Sequence, residues 1–261
     1  MNEIDKKLAD IGRGENIGLM THVVVGYPTL EQTISLVKAM EKAGSDFVEL
    51  QIPFSDPLAD GTTIMRACEK ALASGIQVKD AFATAKILAK QVSIPLVFMA
   101  YYNTIFQYGV SRFCKDAKEV GVSGLIIPDM PLEEEEREHF IKNCTKNLLH
   151  HIRVISPAST LKRLIKNAAV ARGFVYCTAR QGITGAKDTL DSSMESYLKM
   201  VKKYFSIPLA VGFGISKKEH IQAISPYADI VVVGSAFIDI INQSKNDVEK
   251  DVERFIKSLK V

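Results

Sequence analysis

The sequence lacks the features that mark several special classes of protein. Its four cysteines form no Cys-x-x-Cys pair, which favours buried free thiols over a zinc site or a disulfide framework. The net charge is only +3 and the lysines are dispersed, so we expect no nucleic-acid partner. No apolar run approaches the roughly 18 residues that a membrane span needs. The N-terminal segment "MNEIDKKLADIG" is charged and has no apolar region typical of a secretory signal. We therefore expect a cytoplasmic protein without membrane association.

Short apolar segments alternate along the chain with stretches of helical periodicity. The predicted strands lie at 18–25, 46–52, 94–101, 123–127, 151–155, 172–176, 207–211 and 228–233. They are rich in β-branched residues, and their odd and even positions are both mostly apolar, which is typical of parallel strands covered on both faces. Helical patterns at 30–43 and 110–119 precede Gly44 and Gly121, which suit helix C-termini. The order and the length predict an α/β fold, a single (β/α)8 TIM barrel over 1–261 with an extra N-terminal helix. A doubly wound open sheet is the alternative.

The second predicted strand carries an acid inside an apolar run. Its apolar neighbours would face the helix layer, and Glu49 would face the barrel interior near the mouth. A buried carboxylate is costly unless it is paired or used. Because the only candidate for an interior cation on another strand is Arg153, we favour a functional role for Glu49 over a structural salt bridge. Asp60 lies in the loop that follows, where it would be only a turn residue by itself, but beside Glu49 it becomes half of a possible acid/base pair.

Two glycine-containing loops follow the seventh and eighth predicted strands. They read "VGFGIS" at 211–216 and "VGSAF" at 233–237. Glycines let backbone N–H groups approach a ligand, and these two loops are the usual phosphate site of a TIM barrel. The loop "CTARQGITGAKDT" at 177–189 follows the sixth strand and carries Arg180 and Thr184. Its composition suits a mobile lid, with an irregular solvated loop as the alternative. We find no metal-binding signature.

The stretch "VELQIPFSDPLADGTTI" at 48–64 closely resembles the signature of the tryptophan synthase alpha subunit family. The resemblance runs essentially end to end and includes "GYPT" (26–29), "AYYN" (100–103), "PDMPLEE" (128–134), "RQGITGA" (180–186), "GFGIS" (212–216) and "GSAF" (234–237). It implies a retro-aldol cleavage of indole-3-glycerol phosphate to indole and glyceraldehyde 3-phosphate, with no organic cofactor or metal. Glu49 matches the general acid/base of the family, and Asp60 matches the group that handles the indole nitrogen.

The resemblance also implies a substrate pocket, a lid and a partner face. The substrate-binding positions are matched by His22, Gln51, Ile64, Tyr176, Thr184, Phe213, Gly214, Gly234 and Ser235. The lid positions are matched by Arg180, Gly182 and Thr184. The partner is a pyridoxal-phosphate beta subunit in an α2β2 assembly, and the face that meets it is matched by Pro53, Asp56, Pro57, Asn103 and Pro131. Asp56, which alone would read as a turn residue before a proline, is thereby expected at an interface.

Four positions near the predicted acid pair depart from the family pattern. His22 stands where the family usually has phenylalanine, and Gln51 stands where glycine is typical. Thr62 and Met65 replace a usual proline and glutamine. These changes would retune the indole pocket or mark a divergent branch. Two alternatives to a partnered synthase stay open: a freestanding indole-releasing lyase, and a weakly active barrel that serves mainly as allosteric partner of a beta subunit. The intact acid pair argues against the second.

Overall fold

Eight parallel strands close into a barrel in sequence order. The computed structural model describes residues 1–13, 17–178, 192–212 and 214–260. The strands are β1 Gly18–Val24, β2 Phe47–Gln51, β3 Leu96–Met99, β4 Val122–Ile126, β5 His150–Ile155, β6 Val175–Thr178, β7 Leu209–Gly212 and β8 Ile230–Val233. Each strand pairs with the next, and β8 pairs with β1. The closed barrel confirms the predicted TIM fold and excludes the open sheet, because an open sheet would leave two unpaired edges.

Helices surround the barrel and also precede it. They are α1 Glu3–Ile11, α2 Leu30–Ala43, α3 Thr62–Ala73, α4 Val78–Leu88, α5 Tyr102–Tyr108, α6 Val110–Glu119, α7 Glu135–Glu138, α8 Phe140–Lys146, α9 Leu161–Val170, α10 Ser192–Tyr204, α11 Lys218–Ile224, α12 Ser235–Gln243 and α13 Val248–Leu259. A 3₁₀ turn at Leu132–Glu134 leads into α7. The predicted helices at 30–43 and 110–119 coincide with α2 and α6. Gly44 ends α2 in the left-handed region with φ of 102°, where a side chain would be strained.

The extra helix α1 closes the N-terminal end of the barrel. Ile4 is completely buried in a cluster with Phe47 and Phe174, the cluster that fills the barrel interior. The Asn2 side chain accepts a hydrogen bond from the Ile4 N–H and donates to the Ser123 carbonyl at 2.8 Å. A single asparagine therefore begins the helix and ties it to β4. With this end plugged by apolar side chains, an opening is left at the C-terminal end of the strands.

The alternation along β2 sets the faces as the sequence predicts. Val48 and Leu50 are fully buried in the core between sheet and helices, whereas Phe47 belongs to the barrel interior. Glu49 follows Phe47 on the same face and is therefore one level closer to the mouth. The one candidate for an interior cation, Arg153 on β5, is not in the interior. Arg153 faces the helix layer, where its Nε–H donates to Asn167 Oδ1 of α9 at 2.7 Å.

The four cysteines are buried free thiols, as the sequence predicts. Cys114 and Cys144 bring their Sγ atoms to 3.9 Å across the contact of α6 with α8. Within the described ranges, no cluster of three histidine, cysteine or acidic side chains is placed to hold a metal ion. Among the helices that the structure describes, none is both long and apolar enough to cross a membrane.

Candidate active site

A cavity of about 540 Å³ opens at the C-terminal end of the barrel. It is lined by most of the residues that the sequence singles out for a site. They are His22, Glu49, Asp60, Ile64, Tyr176, Gly214, Gly234 and Ser235. Apolar side chains from four strands complete its wall: Met99, Ile126, Val154 and Val232. Residues from β1, β2, β6 and the loops after β2, β7 and β8 thus converge on one space, as expected for the mouth of a TIM barrel.

Glu49 has a histidine as its neighbour on the adjacent strand. His22 and Glu49 are register partners in the pairing of β1 with β2, so their side chains rise on the same side of the sheet. His22 Nδ1 lies 3.3 Å from Glu49 Oε1, and both side chains are only 5% exposed. Within the described residues, Glu49 Oε2 and His22 Nε2 have no hydrogen-bond partner. One oxygen of the carboxylate is therefore held by His22, and the other is available to a ligand.

The protonation of His22 is set by two opposed effects. Burial lowers the pKa of His22, but the charge of Glu49, the hydrogen bond with Glu49 and the charge of Asp60 together raise it above the ordinary value of 6.5. The attraction of the two acids therefore outweighs burial and favours the protonated form of His22.

Asp60 is held by two hydrogen bonds to the same oxygen. Gln51 Nε2 donates to Asp60 Oδ2 at 2.6 Å, and the Tyr101 hydroxyl donates to the same atom at 3.1 Å. The Tyr101 oxygen in turn accepts from the Ala59 N–H at 2.9 Å, which fixes the backbone next to Asp60. Burial raises the pKa of Asp60 above its ordinary 3.8, against the hydrogen bonds from Gln51 and Tyr101 and the charge of His22, while Glu49 adds to the rise.

Gln51 lies behind the cavity wall. It is completely buried, and the cavity lining does not include it. Its amide nitrogen also lies 3.6 Å from Cys68 Sγ on α3. Its side chain therefore reaches Asp60, and it does not reach the space where we expected it to meet a substrate. Of the other two departures from the family pattern, Thr62 lines the cavity at the start of α3 and Met65 does not.

Two glycines and a helix N-terminus also line the cavity. Gly214 adopts a positive φ of 60° with open space on its Cβ side. Gly234 precedes α12, and a Cβ placed there would lie 3.6 Å from Ile64 Cδ1. Gly234 and Ser235 both line the cavity, so the N-terminus of α12 and its partial positive charge lie at the cavity wall. This end suits an anionic group such as a phosphate.

Some predicted residues lie elsewhere or are not described. Arg180, Gly182, Thr184 and Phe213 lie outside the residues that the structure describes. Of the predicted partner face, Asp56 and Asn103 are exposed and Pro131 is half-buried, whereas Pro53 and Pro57 are buried and shape the loop.

Sequence reasoning missed two kinds of residue. Tyr101, which anchors Asp60, stands in the "AYYN" block just after β3, and its position at a strand end was the available signal. Leu58 and Phe106 are large apolar side chains that are 94% and 54% exposed near the predicted partner face. Nothing in their sequence context predicted that exposure.

A closed (β/α)8 barrel with buried acids and a helix N-terminus at its C-terminal mouth has the architecture of a TIM-barrel enzyme. The family model of the tryptophan synthase alpha chain matches residues 8–260. The tryptophan synthase alpha chain of Thermoanaerobacter sp. (strain X514) is 39% identical over 265 residues, which cover 100% of this chain and 99% of the relative. The chain belongs to the tryptophan synthase alpha chain family, which confirms the resemblance seen in the sequence.

Solved structures agree with this assignment. The crystal structure of tryptophan synthase subunit alpha from Legionella pneumophila str. Paris superposes with a TM-score of 0.90 at 32% identity, over 99% of this chain and 97% of the other. A Mycobacterium tuberculosis tryptophan synthase structure in space group F222 gives a TM-score of 0.90 at 29% identity, over 99% and 96% of the two chains.

Proposed function

We propose that this protein cleaves indole-3-glycerol phosphate to indole and glyceraldehyde 3-phosphate, as the alpha component of a tryptophan synthase. The observation that carries the proposal is the placement of Glu49 and Asp60 in one cavity together with the glycine-flanked N-terminus of α12. A volume of about 540 Å³ suits a substrate of this size. The apolar strand side chains offer a surface for the indole ring, and the helix end offers one for the phosphate.

The reaction breaks the bond between indole C3 and the adjacent carbinol carbon of the glycerol phosphate. A proton must be added to C3, and a proton must leave the carbinol hydroxyl as it becomes the aldehyde. Glu49 carries both transfers through its free oxygen Oε2, which has no partner among the described residues. Asp60 accepts a hydrogen bond from the indole N–H and balances the charge on the ring as it tautomerises. Glu49 gives one proton to C3 and regains one from the carbinol hydroxyl in each cycle. No net proton is gained or lost, so one carboxyl group is sufficient for both transfers.

The phosphate is bound through backbone groups. Gly214 and Gly234 leave room for close approach, and Ser235 begins the helix whose N–H groups face the cavity. This arrangement separates the two ends of the substrate. The anion lies over β7 and β8, and the ring lies toward Glu49 and Asp60.

The same loop that carries Asp60 also carries the proposed contact with a beta subunit. Asp56 and Leu58 are exposed in it, and Asn103 and Phe106 are exposed on the neighbouring α5. An exposed pair of large apolar side chains beside an enzyme mouth is suited to burial by a partner. We propose that a pyridoxal-phosphate beta subunit covers this face in an α2β2 assembly and receives the indole. A freestanding indole-releasing lyase is the second candidate, which the family match and the named relatives do not favour.

The test is indole release from indole-3-glycerol phosphate, measured with the purified chain alone and with its cognate beta subunit. We expect indole from the chain alone and a faster reaction in the complex. Equal rates with and without the beta subunit, together with no complex on gel filtration, would select the freestanding lyase. Glu119→Gln, which changes an exposed acid outside the cavity, serves as the control for Glu49→Gln. A lack of indole in both conditions refutes the proposal.

A further inference from the structure

The loop acid of the site is tied to the end of strand β2 by a side chain that the family pattern does not provide. Gln51 is the last residue of β2, and its backbone is held in the parallel ladders with both β1 and β3. Its amide nitrogen reaches Asp60 Oδ2 at 2.6 Å. A glycine, the usual residue at this position, has no side chain to reach the loop. The contact is therefore a property of this chain and not of the backbone fold.

The hydrogen bonds leave the two carboxylate oxygens of Asp60 in different states. Gln51 and Tyr101 both donate to Oδ2, and no described residue donates to Oδ1. Two donors to one oxygen restrict the rotation of the carboxylate, and Asp60 lines the cavity. Because Gln51 is completely buried, this anchor is shielded from water.

We propose that Gln51 is a positioning residue for Asp60: it holds the loop carboxylate oriented toward the indole nitrogen, and charged, in the free chain before any partner binds. The inference rests on the proposed function, because it assigns Asp60 its role there. It also has a consequence for regulation. Asp56 and Leu58 of the proposed partner face lie on the same loop, so a docked beta subunit also restrains Asp60. Loss of Gln51 therefore makes the reaction more dependent on the partner.

The first test measures Asp60 itself and needs no activity. Gln51→Leu and Gln51→Met both remove the hydrogen-bond donor; leucine is similar in size to glutamine, and methionine is also unbranched. If one variant fails to fold, the other still gives the measurement. A donor to a carboxylate favours its charged form. The pKa of Asp60, followed by carboxyl-carbon NMR titration, is therefore expected to rise in both variants. Cys68→Ala is the matched control, because it removes the other neighbour of the Gln51 amide and leaves the bond to Asp60 in place.

The second test measures turnover. We expect Gln51→Leu to lower kcat of the free chain by up to about 10²-fold with little change in KM, since misplacement of a reacting group costs rate more than affinity. The acidic limb of the kcat/KM profile should move to higher pH, and the cognate beta subunit should restore part of the loss. Cys68→Ala should leave kcat and the limb unchanged.

The outcomes separate the two proposals. An unchanged Asp60 pKa in the Gln51 variants overturns the positioning role, whatever the activity. A raised pKa with an unchanged kcat and acidic limb overturns it as well, because the bond would then not serve the reaction. A wild-type chain that releases no indole in any condition refutes the proposed function, while the NMR titration still tests the bond between Gln51 and Asp60.

Discussion

Replacing Glu49 with glutamine tests the central pair of the site with two independent measurements. The substitution keeps the shape of the side chain and removes the charge that lies 3.3 Å from His22 Nδ1. The amide cannot deliver a proton to carbon, so the reaction loses its acid/base. The same change also removes the main attraction that keeps His22 protonated. Catalysis and histidine titration should therefore respond together.

The magnitude follows from the distance and the burial. Two unit charges 3.3 Å apart attract by about 5 kcal/mol at an effective dielectric constant of about 20. In the wild-type protein this attraction outweighs the burial that lowers the pKa of His22. In Glu49→Gln the burial persists and only the smaller effect of Asp60 remains to oppose it, so the pKa of His22 should fall below its ordinary 6.5. Turnover should fall by roughly 10² to 10⁴-fold, the usual contribution of a general acid/base.

The assay combines NMR titration of the histidine ring signals with indole release. The chain has only five histidines, and His22→Phe assigns the signal in question. Asp5→Asn is the matched control, because Asp5 Oδ1 lies 2.7 Å from His150 Nε2 at the opposite end of the barrel. It should leave the titration of His22 and the turnover unchanged. If Glu49→Gln cleaves the substrate at a near-normal rate, or if His22 titrates as in the wild type, the reasoning about this pair is wrong.

Three further predictions concern the same cavity. His22→Phe should lower KM and flatten its pH dependence between about 6 and 7. Because the folded pKa of His22 is raised, the stability that His22 contributes is complete below pH 6.5 and is lost as the pH rises through the folded pKa. The free energy of unfolding in urea of the wild type, relative to the variant, should therefore decrease over that pH range. Asp60→Asn should abolish most turnover yet raise the melting temperature at pH 7. Because the pKa of Asp60 is raised in the folded protein, its charge costs stability at higher pH, and the gain in melting temperature should shrink as the pH falls toward 3.8. Gly214 and Gly75 both have a positive φ with open space around them, so Gly214→Ala and Gly75→Ala should each cost about 1–2 kcal/mol of stability. Only Gly214→Ala should weaken the binding of glycerol phosphate measured by calorimetry. Equal binding by the two variants would exclude the glycine loop as the phosphate site.

The sequence predicted the strands because their character is local. A buried parallel strand is a short β-branched run, and such runs can be recognised without knowing their neighbours. Their ends are less certain: the sixth was expected at 172–176 and lies at Val175–Thr178. Faces could be predicted only where polar and apolar residues alternate clearly. On β2 the alternation placed Glu49 inside, whereas on β5 polar residues occupy both alternations and left the face of Arg153 open.

The contacts of the site were beyond prediction because they depend on register and on loop placement. Nothing in the sequence places His22 opposite Glu49, since the register of two parallel strands is fixed by packing of the whole barrel. The alternation along β2 predicts that Gln51 faces the barrel mouth beside Glu49. The loop after β2, however, folds back over the strand end, and the Gln51 amide donates to Asp60 from behind the cavity wall. That reversal is a tertiary event with no local signal.

The plug formed by α1 has a consequence for the synthesis of the chain on a ribosome. The segment that begins α1 buries Ile4 in the barrel and bonds Asn2 to Ser123 and Leu148, which are translated more than a hundred residues later. β1 likewise waits for β8, whose residues Ile230–Val233 come near the end of the chain. β1 can pair with β2 early, but neither β1 nor the cluster around Ile4 is complete until the residues of β8 have been added. Contacts so distant in sequence form slowly, and a nascent chain of this protein therefore exposes the apolar face of its first helix for most of its translation.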